Sequence, residues 1–560
     1  MKHVAALLAV LVVIRCAWAQ YPHVPPEVQA AEDAAKREAN ARSNEAWAKA
    51  QEWIKKDEAA GRKYIPWAAK PSDLPQAAIP AFPGAWGGGM YSHGGRGGRT
   101  IVVTSLDDSG PGTFREACEA GGARIVVFNV AGIIRLKDDL RIRAPYITIA
   151  GNTAPGDGVC VAGATVAIDT HDVIIRHMRF RRGQTNVANR DDSLGGNPVG
   201  NIMIDHVSAS WGLDENMSMY RHMYMPPDGQ RELKLPTVNI TIQNSIFSEA
   251  LNIYNHAFGS TLGGLNSTFH RNLWASNSGR NPSVGMYGDF TFVNNVLFNW
   301  VHRSVDGGDH LSEFNIINNY LKPGPATPLD KPISYRLLKP ESQRGKTVAD
   351  NFGKAYVAGN IVEGNERVTK DNWDGGVQPA TTQPVEAVLA KIKRDEPFKH
   401  ALLAILPADE AYRYVLANAG ATLPRRDPVD TRVIESVRTG KVTARASTDI
   451  AAILKDVRFT EERINEITAA VARGIITSPA DVGGYPDYKG EPYKDADNDG
   501  MPDEWETKHG LNPNDPTDAT ADKSGDGYTN IEKFIHGLDP SKRIDWKDLK
   551  NNVDPLEARP

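Results

Sequence analysis

Between residues 201 and 320 the chain repeats itself at a nearly fixed interval. The runs Thr268-Phe269-His270, Thr291-Phe292-Val293 and Asn315-Ile316-Ile317 begin 23 and 24 residues apart. Each is followed by an asparagine, at Asn272, Asn295 and Asn319, and an apolar run such as Leu273-Trp274 or Val296-Leu297-Phe298 then resumes. Ile202-Met203-Ile204 and Ile240-Thr241-Ile242 have the same texture. Short strands at a period in the low twenties, with Asn between them, predict a parallel β-helix. Each coil of such a fold bends sharply between strands, and Asn tolerates the left-handed backbone that a tight bend needs. Stacked coils also set the amide side chains above one another, where they hydrogen-bond along the stack. The segment holds 16 Asn in 120 positions, too many for an ordinary helical or α/β domain. An antiparallel sandwich would not repeat its hairpins at this period.

The rest of the chain divides around this block. Residues 1–19 have a basic start at Lys2, an eleven-residue apolar run from Val4 to Ile14, and the small-x-small site Ala17-Trp18-Ala19. These are the three parts of a secretory signal peptide, cut before Gln20. The run is too short to span a bilayer, and Arg15 before Cys16 does not suit a lipid anchor. The expectation is an exported protein, secreted or periplasmic, with no membrane span. Residues 20–79 form a helical segment and a Pro-punctuated linker, with Trp47, Trp53 and Ile54 at helical spacing. The β-helix spans 80–365. Residues 366–485 return to helical periodicity and are expected to pack on the β-helix or cap it. The acidic remainder is 486–560. Cleavage removes Lys2 and Arg15 and takes the net charge from −5 to −7. That balance excludes a typical nucleic-acid protein. It leaves Cys118 and Cys160, whose pairing the spacing does not decide. A monomer is expected.

The acidic remainder contains a repeat of 27 residues: Asp499-Gly500 matches Asp526-Gly527, and His509-Gly510-Leu511-Asn512-Pro513 matches His536-Gly537-Leu538-Asp539-Pro540. Residues 491–540 hold 13 acids and 4 lysines, so counter-ions are implied. In the first copy Asp495, Asp497, Asp499, Asp503 and Glu506 occupy positions 1, 3, 5, 9 and 12 around Gly500, as in an EF-hand-type calcium loop. The second copy offers Asp522 and Asp526, but its position 12 is Lys533, and Glu532 is the nearest substitute.

Two further constellations lie inside the repeats. Arg190-Asp191-Asp192-Ser193, Ile204-Asp205-His206 and Ser210-Trp211-Gly212-Leu213-Asp214-Glu215-Asn216 place acids on successive coils. Equivalent positions on stacked coils are about 4.8 Å apart, so such acids converge or simply form a polar outer face. Converging carboxylates without basic partners bind a hard cation. In Asn277-Ser278-Gly279-Arg280-Asn281-Pro282-Ser283, a proline-fixed turn holds Arg280 in place.

Together these segments resemble the pectate lyases of polysaccharide lyase family 1, from about Ala81 to Gly364. The resemblance rests on Ala81-Phe82-Pro83-Gly84-Ala85, Ile204-Asp205-His206, Thr268-Phe269-His270-Arg271-Asn272-Leu273 and Arg280-x-Pro282, in that order. It implies an all-β core built as a right-handed parallel β-helix, with the flanking helices and the small calcium-binding repeat region outside it. It also implies an acidic polysaccharide substrate, polygalacturonate, cleaved by Ca2+-assisted β-elimination. By position, Asp191 or Asp192, together with Asp214, match calcium ligands, Glu215 is a plausible neighbour, and Arg280 matches the catalytic base. Two family features are missing. Gly285 stands where a second Arg is usual, and no Lys lies between Glu249 and Gly264; His256 and Arg303 are the substitutes for binding substrate.

The chemistry has its own logic. The C5 proton of a uronate is weakly acidic while its carboxylate is charged. A cation bridging that carboxylate to protein acids stabilises the enolate-like intermediate as a base removes the proton. Arginine is an unusual base, since its pKa is normally above about 12. His256, His270 or His302 is the alternative if Arg280 only stabilises charge. A polygalacturonase-type hydrolase would need paired acids, which Asp191-Asp192 mimic, but its companion motifs are absent. A non-catalytic carbohydrate-binding β-helix is the reading from a different class.

Overall fold

The computed structural model describes residues 22–227, 229–286, 288–342, 352–450, 454 and 457–557. The expected signal peptide lies outside them. A 10-stranded parallel sheet runs from Arg99–Val103 to Lys354–Ala358, and a 9-stranded parallel sheet from Gly132–Arg135 to Ile361–Val362. Short strands complete a third face, including Leu140–Ile142, Val166–Ile168 and Leu194–Gly196, and further along Thr261–Leu262, Ser283–Val284, Asp306–Gly307 and Lys339–Pro340. This is a parallel β-helix. The recurring runs stack in the register their spacing required: Ile202 pairs with Ile240, Thr268 with Thr291, and Thr291 with Asn315. One column of the core therefore reads Ile175, Ile204, Ile242, Phe269, Phe292, Ile316, each at most 1% exposed. Burying each such side chain contributes about 1.5–3 kcal/mol.

The bends divide their work between two adjacent residues. The left-handed position is Asn244, Arg271, Asn294 or Asn318, with φ between 50° and 57°. The following residue, Asn272, Asn295 or Asn319, is not left-handed; its amide builds the ladder instead. Asn295 Oδ1 accepts the backbone N–H of Asn272 at 3.0 Å, and Asn319 Oδ1 that of Asn295 at 2.9 Å. Asn360 and Asn372 carry the ladder to the end of the stack.

Helices close and clad the β-helix. Phe114–Glu119 inserts Phe114 and Cys118 into the core, while Val385–Ile392 inserts Val388 and Ile392. Ala408–Asn418 and Pro428–Thr439 pack Val415, Ala419, Val433 and Val437 on Ile246, Leu273, Val296 and Phe298 of the 9-stranded sheet. The N-terminal helical reading emerges as one helix, Pro26–Ala59. The acidic unit lies on the 10-stranded sheet, with Met501, Ala519, Ile531 and Ile535 packed against Ile125, Val127 and Ala150. Cys118 and Cys160 are both buried free thiols. No described helix is long and apolar enough to cross a membrane.

Candidate active site on the third face

Stacking on the third face brings together side chains that are distant in sequence. Leu194 bridges to Met217, Glu215 to Phe258, and Phe258 to Gly279, and Ser283 pairs with Asp306 one coil further. Asp192, Asp214 with Glu215, His256 with Phe258, Arg280, and Arg303 with Asp306 thus stand on successive coils. Coil-to-coil approach is tight here: a Cβ on Gly259 would lie 2.6 Å from the Arg280 carbonyl oxygen. Arg280 itself has a left-handed backbone, φ 52°, a strained conformation that the stacked coils hold in place.

Each charge has a specific partner. Arg280 forms an ion pair with Glu215, which also accepts the Thr261 hydroxyl at 2.9 Å. Burial lowers the Arg280 pKa, but the charge and hydrogen bond of Glu215, with Asp214 and Asp306 behind them, outweigh it and raise the pKa. Asp214 meets His256 Nδ1 at 2.6 Å and Arg190 Nε at 3.4 Å. Burial pushes Asp214 up; the hydrogen bond from His256 and the charges of Arg190, His256 and Arg280 pull it down further. Asp192 accepts the backbone N–H of Glu215 at 3.1 Å, and no basic side chain pairs with it among the described residues. Burial, then the charges of Glu215 and Asp214, push Asp192 well above the usual carboxylate range. Asp192, Asp214 and Glu215 are hard oxygen donors, and the excess negative charge around Asp192 fits a calcium-type cation. With the carboxylates turned to His256, Arg190 and Arg280, the three do not converge within 4.8 Å of one another.

Other predicted residues lie elsewhere. Asp191 is turned away from this cluster and holds Arg182 Nε at 2.6 Å. Asp205 and His206 sit at the end of a strand of the 10-stranded sheet, where Asp205 binds Arg176 Nε at 2.8 Å and His206 Nδ1 at 2.9 Å. His270 is buried on the same sheet, 2.9 Å from Gln243 Oε1, so it is not a base for this site. His302 is on the third face; burial, then the charges of Arg303 and Arg280, hold it down to about 4. Arg303 pairs with Asp306 at 3.6 Å.

Sequence reasoning missed Phe258, whose ring lies under the Arg280 and Arg303 guanidiniums at 4.4 and 5.2 Å and against His256 at 4.6 Å. A phenylalanine within an apolar repeat reads as core, so nothing flagged it. Thr261 and Asp306, in the short strands Thr261–Leu262 and Asp306–Gly307, were also missed. Gly285 is also explained: a Cβ there would lie 2.4 Å from Cδ2 of Tyr220, so that ring fills the space. Arg221 and Lys234 lie 5.1 and 5.5 Å from the Tyr220 ring and put positive charge nearby.

In the acidic unit, carboxylate oxygens of Asp495, Asp497 and Asp499 lie within 4.8 Å of one another, as do those of Asp499, Glu506 and Asp518. Asp518 comes from the turn after the first loop and was not foreseen. Asp503 is outside the cluster, bound to Lys494 Nζ at 2.7 Å and to the Ala496 N–H at 2.8 Å. In the second copy Asp526 is paired with Lys533 at 2.5 Å, and Asp522 accepts the N–H groups of Gly525 and Gly527 at 2.7 Å each. Glu532 caps Thr529 and binds Arg96 at 2.8 Å.

No family model matches the chain. Among curated proteins, probable pectate lyase C of Aspergillus flavus is 33% identical over 474 residues, covering 83% of this chain and 95% of that protein. Its counterpart in Emericella nidulans is 34% identical over 471 residues, covering 83% and 94%. Among solved structures, the cedar pollen allergen jun a 1 is 17% identical with a TM-score of 0.37, covering 60% of this chain and 92% of that one. A pectate lyase of Xanthomonas campestris is 16% identical with a TM-score of 0.36, covering 61% and 100%. At 33–34% identity over 83% of its length to the fungal proteins, the chain belongs to the pectate lyase family.

Proposed function

We propose that this protein is a polysaccharide lyase that cleaves polygalacturonate by β-elimination on the third face. The observation that supports it most is the arrangement of Arg280 against Glu215, beside Asp214 and Asp192, on adjacent coils. Asp192, Asp214 and Glu215 are the residues that would hold Ca2+. A bound divalent ion supplies neutralisation of the substrate carboxylate and stabilises the charge that develops beside it.

The chain's own groups do the rest. Arg280 is the catalytic residue: its neutral guanidine takes the C5 proton and becomes a guanidinium, the C4–O bond breaks, a C4–C5 double bond forms, and the departing oxygen is protonated by water. In the ion pair with Glu215 the guanidinium is protonated and cannot accept that proton. Turning Glu215 away from it is therefore part of reaching the active state. Phe258 fixes the guanidinium plane through its ring face. Arg303 and Arg190, both partly exposed, and Arg221 with Lys234 around Tyr220, provide positive charge for neighbouring uronates. His256 orients Asp214 and is a positioning residue. The signal-peptide pattern at residues 1–19 supports export.

The test is ultraviolet absorbance of the unsaturated product from polygalacturonate, with calcium and with a chelator. A calcium-dependent rise that Arg280→Ala abolishes is the expected result. New reducing ends without absorbance would make the enzyme a hydrolase, and neither signal would make the β-helix a binding protein.

A further inference from the structure

The strongest unexplained group outside the third face is Glu506. It is 0% exposed, and neither of its carboxylate oxygens has a hydrogen-bond partner. One oxygen each of Asp495, Asp497, Asp499 and Asp518 is buried and unpartnered as well. The second oxygen of each of these four is occupied. Asp495 accepts the Gly500 N–H at 3.0 Å, Asp497 that of Asp499 at 3.4 Å, Asp499 that of Met501 at 2.8 Å and Asp518 that of Asn512 at 2.9 Å. Asp499 belongs to both carboxylate clusters, so the acids of the first loop and the pair Glu506 and Asp518 meet at it. Leaving a buried carboxylate oxygen unpartnered costs several kcal/mol, so five such groups do not share a pocket without a cation. Nearby lysines are used elsewhere: Lys494 binds Asp503, and Lys523 donates to the carbonyls of His509 and Gly510 at 2.8 and 2.9 Å.

The second repeat is an internal control. Asp526 corresponds to Asp499, and Lys533 corresponds to Glu506. Lys533 is 1% exposed, and its ammonium holds Asp526 at 2.5 Å and the Lys542 carbonyl at 3.2 Å. Asp526 and Asp522 have none of the unpartnered oxygens that mark the first loop. The same scaffold carries its own cation in one copy and six free oxygens in the other.

We propose that Asp495, Asp497, Asp499, Glu506 and Asp518 form a structural site for one calcium ion, and that Lys533 replaces the ion in the second repeat. Six oxygens, two from Glu506 and one from each aspartate, match the coordination number of calcium. Asp518 serves in place of Asp503, so the site spans two turns and differs from a continuous twelve-residue loop. Its role follows from its position: Met501 and Ala519, which border the ligands, pack on Ile125 and Val127 of the 10-stranded sheet. The ion fixes the loop that seats this unit on the β-helix. Burial and the surrounding acids push Asp499 up to about 7 and Glu506 up to about 8, as expected for a carboxylate cluster without its counter-ion.

The experiment uses the full-length protein stripped with chelator, titrated with calcium by calorimetry and followed by thermal unfolding. Glu506→Gln and Asp518→Asn are expected each to lose one equivalent of bound calcium, or to bind it at least about tenfold more weakly. Both should lose most of the calcium-induced rise in Tm, while far-ultraviolet circular dichroism stays that of the wild type. Lys533→Glu is expected to add one equivalent. Retention of wild-type stoichiometry and affinity in both Glu506→Gln and Asp518→Asn would overturn the site. Should Glu506→Gln not fold, Asp518→Asn alone decides by the same criterion. Loss of the stabilising equivalent in Asp192→Asn instead would assign it to the third face and equally overturn the proposal. Lyase activity enters none of these readouts, so the site stands or falls separately from the proposed reaction.

Discussion

Glu215 and Arg280 are 65 positions apart in sequence and form an ion pair on the third face of the β-helix. The pair means that a proposed cation ligand and the proposed base neutralise each other when substrate is absent. Arg280→Ala is expected to lower the rate of unsaturated product formation by about 10³-fold with little change in KM. The same variant should bind calcium more tightly than wild type without substrate, because Glu215 loses its competing cation. Calorimetry checks the second outcome independently of activity, and unchanged or weaker binding would show that Glu215 does not take part in holding the ion.

The pH profile separates the two candidate bases. Burial and neighbouring arginines hold His302 down to about 4, whereas the Arg280 pKa lies above its ordinary value. A histidine with so low a pKa is fully in its base form by about pH 6, so a rate limited by it would be flat above that. The deprotonated fraction of an arginine instead rises about tenfold per pH unit well into the alkaline range. The expected profile of kcat climbs from neutrality to about pH 10 and survives His302→Ala. A plateau beginning near pH 6 that His302→Ala removes would transfer the base role to His302.

Asn295 shows how much of the architecture was legible. Its spacing from Asn272 and Asn319 revealed the coil length, because stacking forces a fixed residue count per turn. What it could not reveal was the division of labour at the bend, since both adjacent positions favour Asn for different reasons. The same limit applies to the site. Arg280, Asp214 and Glu215 stood out as charged residues in an apolar repeat, whereas Phe258 was camouflaged as core and Asp191 could not be told from Asp192. Which of two adjacent acids faces Arg182 depends on the side to which the backbone turns, and that is a property of the packed coil. Asp518, to which the sequence assigned no role, stands where Asp503 was expected for a similar reason: a loop motif fixes spacing, but a later turn of the chain supplies the carboxylate.

Replacing Asn295 by Ala tests the ladder. Its carbonyl accepts the Asn272 backbone N–H and its amide donates to the Phe269 carbonyl at 2.9 Å, all buried. The substitution strands both, and the expected loss is about 3 kcal/mol in denaturant unfolding. A loss under about 1 kcal/mol would mean that water or relaxation satisfies them.

Gly285 is a steric requirement of Tyr220. Ring carbons Cδ2 and Cγ of Tyr220 would stand 2.4 and 2.5 Å from an added Cβ, and a packed ring has little room to move. Gly285→Ala should therefore destabilise by about 1–3 kcal/mol, and Tyr220→Ala in the same chain should recover most of it. Gly285→Arg alone, which restores the usual family residue, is expected to lower activity, whereas Gly285→Arg with Tyr220→Ala should keep it.

Arg176 is fully buried between Asp205 of the β-helix and Asp554 near the C-terminus. Its guanidinium also lies 3.8 Å from the Phe82 ring, and Asn552 accepts the Gly84 N–H at 2.9 Å and donates to the Ala85 carbonyl at 2.8 Å. The final residues thus fasten the Ala81–Ala85 segment that opens the β-helix domain to its wide sheet. Removing one partner of a buried ion pair leaves the other charge without compensation, a cost of about 3–5 kcal/mol. Because Asp205 remains, Asp554→Ala should cost about 3 kcal/mol in denaturant unfolding, and Asp554→Asn, which keeps an acceptor, distinctly less. Both variants should retain kcat at temperatures where they are folded, since Asp554 pairs with Arg176 and does not touch the third face. A stability change below about 0.5 kcal/mol in Asp554→Ala would show that Asp205 alone neutralises Arg176 and that the tail is held by Asn552 and packing.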